Sequence, residues 1–379
     1  MQKILLFIAS LFYFNSLFAK DEIKSWQGIH ETPLSRLEQQ FADPPVEFAN
    51  HVIWGWEGKM DKKTICNDLD SIKKKGFRAI IFEAGYKLPF KYLSEEWFKA
   101  IRTGVLEAKK RGMKVWIIDE GKYPSGFAGG KFSQERPDLR MQALVIGDTI
   151  QIKRGEVMTN HKIAPEIISA VAVSTSGAPN RTVAINNGEI SFNAGLDDWK
   201  ILLVKSDFRT AVTRAVNNPN GGKDATNSLC DYLNPVAVQQ FIDWTHEQYK
   251  KYLGKELGTT VLGFRGDEPD YAHLPWTPSI VQTFKDTKGY DPTPYLASFF
   301  TTSPTIQEQR VKADYWDVWS SLFATHFFKL QADWCAANGV AHITHLNKEH
   351  EMPACVKAEG DYFRNLSKVQ IPGVDAIWN

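Results

Sequence analysis

The sequence predicts an α/β fold in which a parallel sheet is covered by helices on both faces. Short, continuously apolar segments alternate with segments of helical spacing, and each apolar segment is followed by a helix. Strands that are apolar along their whole length are typical of a parallel sheet buried on both faces. One stretch with antiparallel patterning interrupts this rhythm, which predicts an inserted β-domain.

The alternating pattern begins near residue 51. The first apolar run is followed by a segment of helical spacing that ends at Gly76, and the second is followed by one that ends at Gly112. A glycine at this position is typical of a helix C-terminus. We predict strands at 51–56, 77–82 and 114–118, and helices at 62–75 and 94–111.

Between residues 140 and 214 the pattern changes to short β-branched runs separated by turn signals such as Asn186-Asn187-Gly188. An elaborate loop is the alternative, but about seventy residues without secondary structure would be unusual inside a compact domain. We therefore predict an inserted antiparallel β-domain, with strands near 143–152, 167–173, 182–185 and 201–204.

The α/β rhythm then resumes and adds three strands, which makes six in one parallel layer. The segment that precedes the fifth strand has the longest helical spacing in the chain. We predict helices at 235–257, 305–338 and 353–368, and strands at 260–264, 341–346 and 374–378.

The N-terminus is typical of a secretory signal peptide. Met1-Gln2-Lys3 supplies a short basic start, residues 4–18 form an apolar centre, and Ala19 is a suitable cleavage point. We therefore predict export to the periplasm, the cell surface or the medium. No later stretch is long and apolar enough to span a bilayer.

The overall charge excludes two classes of partner. The chain has 45 Lys and Arg residues against 44 Asp and Glu residues, a net charge of +1. Nothing in this balance indicates binding to nucleic acid or to an anionic membrane surface.

The four cysteines, Cys66, Cys230, Cys335 and Cys355, do not form paired Cys-x-x-Cys motifs, so a zinc site is not expected. One disulfide or four buried thiols both remain open.

Acidic residues follow the predicted strands at one edge of the sheet. In α/β barrels the loops at the carboxyl ends of the strands converge on the active site. Helix caps and structural ion pairs are the alternative explanation, but carboxylates at four consecutive strand ends favour a functional site. The strand ends carry Glu57, then Glu83, then Asp119 and Glu120, then Asp267 and Glu268, and the fifth leads into His345, Asn347, Lys348 and Glu349.

Such a set of carboxylates suits glycoside hydrolysis. The reaction needs one protonated carboxyl to assist the leaving oxygen, and one carboxylate to activate water or to attack the sugar. Glu268 is the first candidate, because it follows an apolar strand and Pro269 stiffens its exit. Aromatic side chains near the same edge are predicted to stack on a sugar ring, namely Trp54, Trp56, Tyr123, Tyr271 and Trp276.

Two further segments contain residue types that are common in ligand-binding sites. The segment 123–130 is glycine-rich, but it lacks the spacing of a phosphate loop or a dinucleotide fingerprint, and it is predicted to be a flexible loop at the mouth. His345 and His350, with Glu349 and Glu351, do not have the spacing of a zinc-protease motif. We favour a solvated polar loop over a metal site there.

Five stretches, taken in order, resemble the α-L-rhamnosidase-like glycoside hydrolases of family 106 and its relatives. They are Trp54-Gly55-Trp56-Glu57-Gly58, the segment 116–126, Asp231-Tyr232-Leu233-Asn234-Pro235, Gly266-Asp267-Glu268-Pro269, and the segment 369–375. The resemblance covers residues 40–379, and the inserted β-domain matches least distinctly.

The resemblance implies a TIM-type (β/α) barrel with β-sandwich appendages, a secreted enzyme that degrades polysaccharides, an inverting pair of glutamates and calcium associated with the site. Carried over to this sequence, it makes Glu268 a catalytic residue and Glu349 its partner. Around them we predict a substrate-binding set of Trp54, Trp56, Glu83, Asp119, Glu120, Tyr123, Asp267, Tyr271 and His345.

The predicted barrel is incomplete, because a closed barrel needs eight strands and only six are found. The expected organisation is a signal peptide at 1–19, strands one to three at 20–139, the inserted β-domain at 140–214 and strands four to six at 215–379, with a C-terminal truncation. The expected function is hydrolysis of oligo- or polysaccharides, with α-L-rhamnosides as the expected substrates. The alternative is a non-catalytic carbohydrate-binding remnant or an inactive fragment of such an enzyme.

Overall fold

The computed structural model describes residues 33–121, 123–210, 213–214, 223–224, 228–271 and 273–376. The predicted signal peptide lies outside these residues. Among the helices that are described, none is long and apolar enough to pass through a bilayer.

The elements follow one another in three groups. The first group is α1 (Leu34–Ala42), β1 (His51–Trp56), α2 (Lys62–Lys74), β2 (Ala79–Ala84), α3 (Glu95–Lys110), β3 (Lys114–Ile118) and α4 (Lys131–Glu135). The second is β4 (Gln142–Ile152), β5 (Val157–Lys162), β6 (Ile167–Ser174), β7 (Arg181–Thr182), β8 (Ile185–Asn186), β9 (Glu189–Asn193), β10 (Trp199–Phe208), β11 (Thr213–Arg214) and β12 (Lys223–Asp224). The third is α5 (Pro235–Trp244), α6 (His246–Leu253), β13 (Val261–Asp267), β14 (Pro275–Trp276), α7 (Ile280–Lys288), α8 (Ile306–Phe323), α9 (Lys329–Ala337), β15 (Ala341–His345), α10 (Met352–Glu359), α11 (Tyr362–Leu366) and β16 (Ile371–Pro372).

The main sheet has six parallel strands in the order β1-β2-β3-β13-β15-β16. The mixed α/β architecture is confirmed, and β1 and β3 have the predicted bounds. The sixth strand is shifted from the prediction, because Ile371 and Pro372 pair with β15 whereas residues 374–376 are not in a strand. Closure into a barrel stays a prediction, since β1 and β16 are the end strands of the described sheet.

A second sheet is antiparallel and has the order β14-β4-β10-β6-β7. Most of its strands fall in the segment predicted to be inserted. However, β14 comes from the later chain and pairs with β4 through Pro275 and Trp276. The Ser169 side chain in β6 also accepts a hydrogen bond from the Ala297 N–H at 3.0 Å. The antiparallel sheet is therefore joined to the second half of the α/β region.

The helices begin where side-chain oxygens cap their first turn. Asp61 accepts the Thr64 N–H at 2.9 Å before α2, and Ser94 accepts the Trp97 N–H at 3.3 Å before α3. Thr305 and Glu308 form a reciprocal capping box at the start of α8. These caps satisfy backbone donors that the helix itself leaves unpaired, and so they fix where each helix starts relative to the sheet.

Aromatic side chains form much of the core beneath the sheet. Trp56 on β1 packs against Phe82 of β2 with ring centroids 5.1 Å apart, and against Trp97 of α3 at 5.7 Å. All four cysteines are described, and none forms a disulfide. Burial raises the pKa values of the thiols of Cys230 and Cys335 well above the ordinary value. Of the two alternatives for the cysteines, the structure therefore shows free thiols.

Asp231 is a buried acid that should make stability depend on pH. Its carboxylate accepts hydrogen bonds from the Thr277 hydroxyl at 2.7 Å and the Leu233 N–H at 3.0 Å. Burial raises its pKa from 3.8 to about 7. Below the unfolded-state pKa of 3.8, Asp231 is protonated in both the folded and the unfolded chain. Between that pKa and the folded-state pKa of about 7, it is protonated only in the folded chain. The free energy of unfolding should thus fall as pH rises through this window, by up to about 1.4 kcal/mol per pH unit.

We expect Asp231→Asn to reduce this fall in the free energy of unfolding with rising pH, because the asparagine side chain is neutral at every pH. Urea unfolding of both proteins from about pH 4 to about pH 8 measures the effect. Asp333→Asn is the matched control, since Asp333 is exposed and, among the described residues, pairs with Lys329 on its own helix. Equal pH dependence in wild type and Asp231→Asn would contradict the assignment.

Candidate active site

The candidate site is built around the exit of β13. Gly263 and Gly266 let this strand lie close to β15, since a Cβ at Gly263 would lie 2.0 Å from the Ala341 carbonyl oxygen. The strand ends at Asp267, and Glu268 follows with a φ of 40°, in the left-handed region. A non-glycine residue seldom adopts this conformation, and such residues are concentrated at functional sites.

His345 lies beside both carboxylates because of strand register. It is the residue of β15 directly opposite Asp267. Its Nε2 atom lies 3.4 Å from Glu268 Oε1 and 3.5 Å from Asp267 Oδ1. The His345 side chain is buried, whereas the sequence predicted a solvated loop here. The two acidic residues and the histidine that were predicted separately thus meet at one point.

Arg265 fixes which nitrogen of His345 carries the proton. Its Nη2 atom lies 3.4 Å from His345 Nδ1, and a guanidinium can only donate. Nδ1 is therefore the acceptor, and in the neutral ring Nε2 carries the N–H. That N–H is on the side of the Glu268 and Asp267 carboxylates. His345 is thus arranged as a donor to these two carboxylates.

Asp375 completes this group, and the sequence analysis assigned it no role. Its Oδ2 lies 3.9 Å from His345 Nε2, and one ligand atom from each of Glu268, His345 and Asp375 falls within 4.8 Å of the others. Asp375 lies just beyond β16, so it is a further carboxylate at the same edge of the sheet. Its position after a sixth strand was the signal that could have identified it.

Glu349, the predicted catalytic partner, lies next to this group. Its Oε1 accepts the Asp375 N–H, and its Oε2 accepts the Tyr362 hydroxyl at 3.4 Å. Glu349 is partly exposed. It therefore has access to solvent beside Asp375, and its catalytic role stays a prediction.

Asp119 and Glu120, after β3, are both buried and bound by nearby protein groups. Burial raises the pKa of Asp119 to about 7 and that of Glu120 to about 8. Glu120 accepts backbone N–H groups from Gly121 at 2.6 Å and Gly129 at 3.1 Å, and a third from Ala128. Glu120 thus holds Gly121, Ala128 and Gly129 together, and the buried residues Ser125, Phe127 and Ala128 show a packed stretch rather than the flexible loop that was predicted. These bonds give Glu120 a structural role, and its predicted contact with substrate stays a prediction.

A second acidic group surrounds Asn347. The Asn347 amide donates to the Tyr123 hydroxyl at 3.1 Å and to Asp270 Oδ2 at 3.0 Å, and its backbone N–H donates to Glu359 Oε1 at 2.7 Å. The other carboxylate oxygens, Asp270 Oδ1 and Glu359 Oε2, are buried and have no hydrogen-bond partner among the described residues. Burial raises the pKa values of both carboxyls, and nearby Glu268 adds to the effect.

Several predicted binding residues do not face this site. Trp54 and Trp56 are 9% and 0% exposed, and Tyr271 is 1% exposed, so their rings belong to the cores. Trp276 lies in the strand β14 and is also buried. Trp54 and Trp56 lie within β1 and pack into a core, whereas Tyr271 also borders a cleft, so stacking of these four rings on a sugar stays a prediction.

Glu83 is the fifth residue of β2, and its predicted contact with substrate stays a prediction. A Cβ at Gly55 of β1 would lie 3.4 Å from Glu83 Oε2, and β3 separates β2 from β13. Another aromatic residue lines open space instead. Trp316 of α8 borders a cleft of about 700 Å³ that also reaches Asp270 and Lys348. The helical spacing of α8 did not indicate that Trp316 would be accessible while Trp54 and Trp56 of β1 are buried.

The resemblance implies calcium, and the two acidic groups differ in how well they suit it. Calcium binds six to eight oxygen ligands. The group of Glu268, His345 and Asp375 includes a ring nitrogen that already carries a proton on the side of the carboxylates, so it does not fit. Asp270 and Glu359 offer only carboxylate oxygens, two of which are buried without a partner among the described residues, whereas the Asn347 amide faces Asp270 with an N–H. This second group fits a hard cation.

Comparison with known proteins identifies the family. The family described as alpha-L-rhamnosidase, glycoside hydrolase family 106, matches residues 156–379, which is more than half of the chain. The chain belongs to this family. The resemblance found in the sequence is thereby confirmed, and the matched region includes Glu268, His345, Glu349 and Asp375.

Two relatives place this family member in context. The chain is 23% identical over 363 residues to a protein of Formosa agariphila named "Putative beta-glucuronidase". The aligned region covers 81% of this chain and 30% of that protein. The fold of the chain is similar to the solved structure of a rhamnosidase from Novosphingobium sp. PP1Y, with a TM-score of 0.64 and 14% identity, over 89% of this chain and 49% of that one. The chain therefore spans less than half the length of either relative.

Proposed function

We propose that this chain carries the catalytic centre of an exported glycoside hydrolase that removes α-L-rhamnose from oligo- or polysaccharides. The observation that carries the proposal is the meeting of Glu268, His345 and Asp375 at the carboxyl edge of a parallel sheet. Family membership supports the reaction class. The TIM-type barrel and the export route are parts of the same proposal, supported by the parallel sheet and by the N-terminal sequence.

The proposed chemistry uses Glu268 and Glu349 as acid and base. One carboxyl protonates the glycosidic oxygen as the bond to the sugar breaks, while the other carboxylate takes a proton from the attacking water. Inversion requires the two carboxyls to be about 6.5–9.5 Å apart, so that water fits between sugar and base. Glu268 and Asp375 have oxygens within 4.8 Å of each other, which is too close for such a pair. Glu349 is the partner in this proposal because the family resemblance implies it and because it lies beside Asp375.

His345 and Arg265 place a hydrogen-bond donor and a positive charge beside Glu268. The Nε2–H of His345 faces the Glu268 carboxylate, and Arg265 keeps His345 in this tautomer. Arg265 also lies 3.7 Å from Asp267 Oδ1, so one cation offsets part of the repulsion between the adjacent carboxylates. The site thereby places one cation and one N–H donor among three carboxylates.

Calcium, if bound, would be held by Asp270 and Glu359, and would supply positive charge next to the site. We expect millimolar calcium to raise the Tm of the wild-type protein, because a ligand that binds only the folded state stabilises it. The increase should disappear in Asp270→Asn and persist in the exposed control Asp333→Asn. Differential scanning calorimetry measures it, and a wild-type Tm that calcium does not change would contradict the assignment.

The function itself is tested on the wild-type protein with aryl α-L-rhamnosides, aryl β-D-glucuronides and pectic oligosaccharides. We expect release of free rhamnose from the first and third substrates. Release of glucuronic acid alone would instead favour the activity named for the Formosa agariphila relative. Binding of oligosaccharide in calorimetry without release of any sugar would favour the non-catalytic alternative and overturn the proposal.

A further inference from the structure

Ser125 forms two hydrogen bonds to the peptide groups of Asp267, the residue just before Glu268. The Asp267 N–H donates to Ser125 Oγ at 2.7 Å, and the Ser125 N–H donates to the Asp267 carbonyl oxygen at 2.9 Å. Both polar groups of the Asp267 backbone are therefore bound by one residue. Because Asp267 is the last residue of β13, these bonds set the direction in which the chain leaves the sheet.

Asp119 closes this arrangement into a ring of hydrogen bonds. The Ser125 hydroxyl donates to Asp119 Oδ1 at 2.7 Å, which orients its lone pairs toward the Asp267 N–H. The Asp119 N–H in turn donates to the Arg265 carbonyl oxygen at 3.0 Å. The ring thus links the exits of the neighbouring strands β3 and β13 through side chains, beyond the last pair of the sheet register.

The ring is rigid because its members are buried and anchored from a third side. Ser125 and Asp119 are both 0% exposed. The Tyr232 hydroxyl donates to the Ser125 carbonyl oxygen at 2.5 Å, and the Tyr232 ring lies in the larger core. Gly126 follows with a φ of 95°, and a Cβ there would lie 2.5 Å from the Tyr232 ring. Ser125 therefore has little freedom to move relative to β13.

Glu268 depends on such a support. Its left-handed φ of 40° is an unfavourable conformation for a residue with a side chain, and it persists only where neighbouring groups hold it. Pro269 fixes the chain on one side of Glu268, and the two bonds to Ser125 fix it on the other. The described contacts of the Ser125 hydroxyl are with Asp119 and the Asp267 N–H, so its effect on Glu268 is exerted through the backbone.

We propose that Ser125 is a positioning residue: it holds the Asp267 peptide and thereby keeps the Glu268 carboxylate beside His345. The inference rests on the proposed function, since it concerns the placement of the proposed catalytic glutamate. Ser125→Ala should leave substrate binding largely intact and slow the chemical step. A displacement of about 1 Å in a catalytic group is sufficient to lower a rate by about 100-fold.

The test compares Ser125→Ala with Ser169→Ala. Ser169 is also a buried serine whose Oγ accepts a backbone N–H, from Ala297, but it lies in the antiparallel sheet. We expect kcat on an aryl α-L-rhamnoside to fall about 10- to 100-fold in Ser125→Ala, with KM changed less than about 3-fold. Ser169→Ala should keep the wild-type kcat, whatever its Tm. Ser125→Thr retains the hydroxyl and should recover part of the rate.

Hydrogen exchange provides a readout that does not depend on turnover. The backbone segment 262–270 should exchange faster in Ser125→Ala than in wild type, whereas Ser169→Ala should leave it unchanged. Unchanged exchange in this segment, or a wild-type kcat in Ser125→Ala, would overturn the inference while leaving the proposed function intact. Absence of any activity in the wild type would overturn the proposed function, and the exchange measurement would still decide whether Ser125 holds this segment.

Discussion

Replacement of Glu268 by glutamine is expected to lower kcat on an aryl α-L-rhamnoside by about 10²–10⁴-fold. This is the usual contribution of a single acid or base group in catalysis. Glutamine has nearly the same size, so it can occupy the space beside His345, but it neither gives nor takes a proton at neutral pH. Steady-state kinetics with a check of the Tm separates a catalytic loss from unfolding.

The matched control for this variant is Glu351→Gln. Glu351 is exposed and lies near the same edge of the sheet, at the start of α10. It borders the cleft that contains Trp316 but is absent from the group around His345. We expect its kcat to stay within about 3-fold of wild type. An equal loss in both variants would indicate a general electrostatic effect at this edge instead of a role for Glu268.

Replacement of Gly263 by alanine is expected to destabilise the fold by at least about 3 kcal/mol. The added Cβ would lie 2.0 Å from the Ala341 carbonyl oxygen and 2.6 Å from the Trp116 ring. The first of these atoms belongs to the backbone of β15, so the clash is relieved only if the two strands separate. Urea unfolding measures the loss, and the exit of β13 should be displaced with the strand.

Gly55→Ala is the control for the effect of an added methyl group in the same sheet. A Cβ at Gly55 would have its nearest contact at 3.4 Å, with the Glu83 carboxylate. We expect the free energy of unfolding to change by less than about 1 kcal/mol. Should Gly263→Ala be as stable as Gly55→Ala, the close approach of β13 and β15 would be wrong.

Much of the fold could be predicted from the sequence because its signals are local. Continuous apolar runs identified the strands, and the glycines after α2 and α3 marked the ends of these helices. The sixth strand was misplaced because Ile371-Pro372 is only two residues long, and a proline is unusual within a strand. The contribution of β14 to the antiparallel sheet was missed for the same reason of length.

The candidate site was predicted in part. The rule that parallel strands end at one edge brought Asp267, Glu268 and His345 together correctly, since it depends only on strand order. The burial of Trp56 could not be predicted, because a tryptophan at the end of a strand can turn toward either face of the sheet, and Trp56 turns into the core. The bonds of Ser125 to Asp267 join residues 142 positions apart, and no sequence pattern signals such a contact.

The central claim is that Glu268 and Glu349 act together as acid and base. The most direct test is kcat/KM for Glu268→Gln, Glu349→Gln and the double variant on one aryl α-L-rhamnoside. Residues that act as a unit give strongly non-additive losses. We predict that the double variant loses little more activity than the weaker single variant. Wild-type turnover in either single variant, or losses in the two that multiply in the double variant, would contradict the claim.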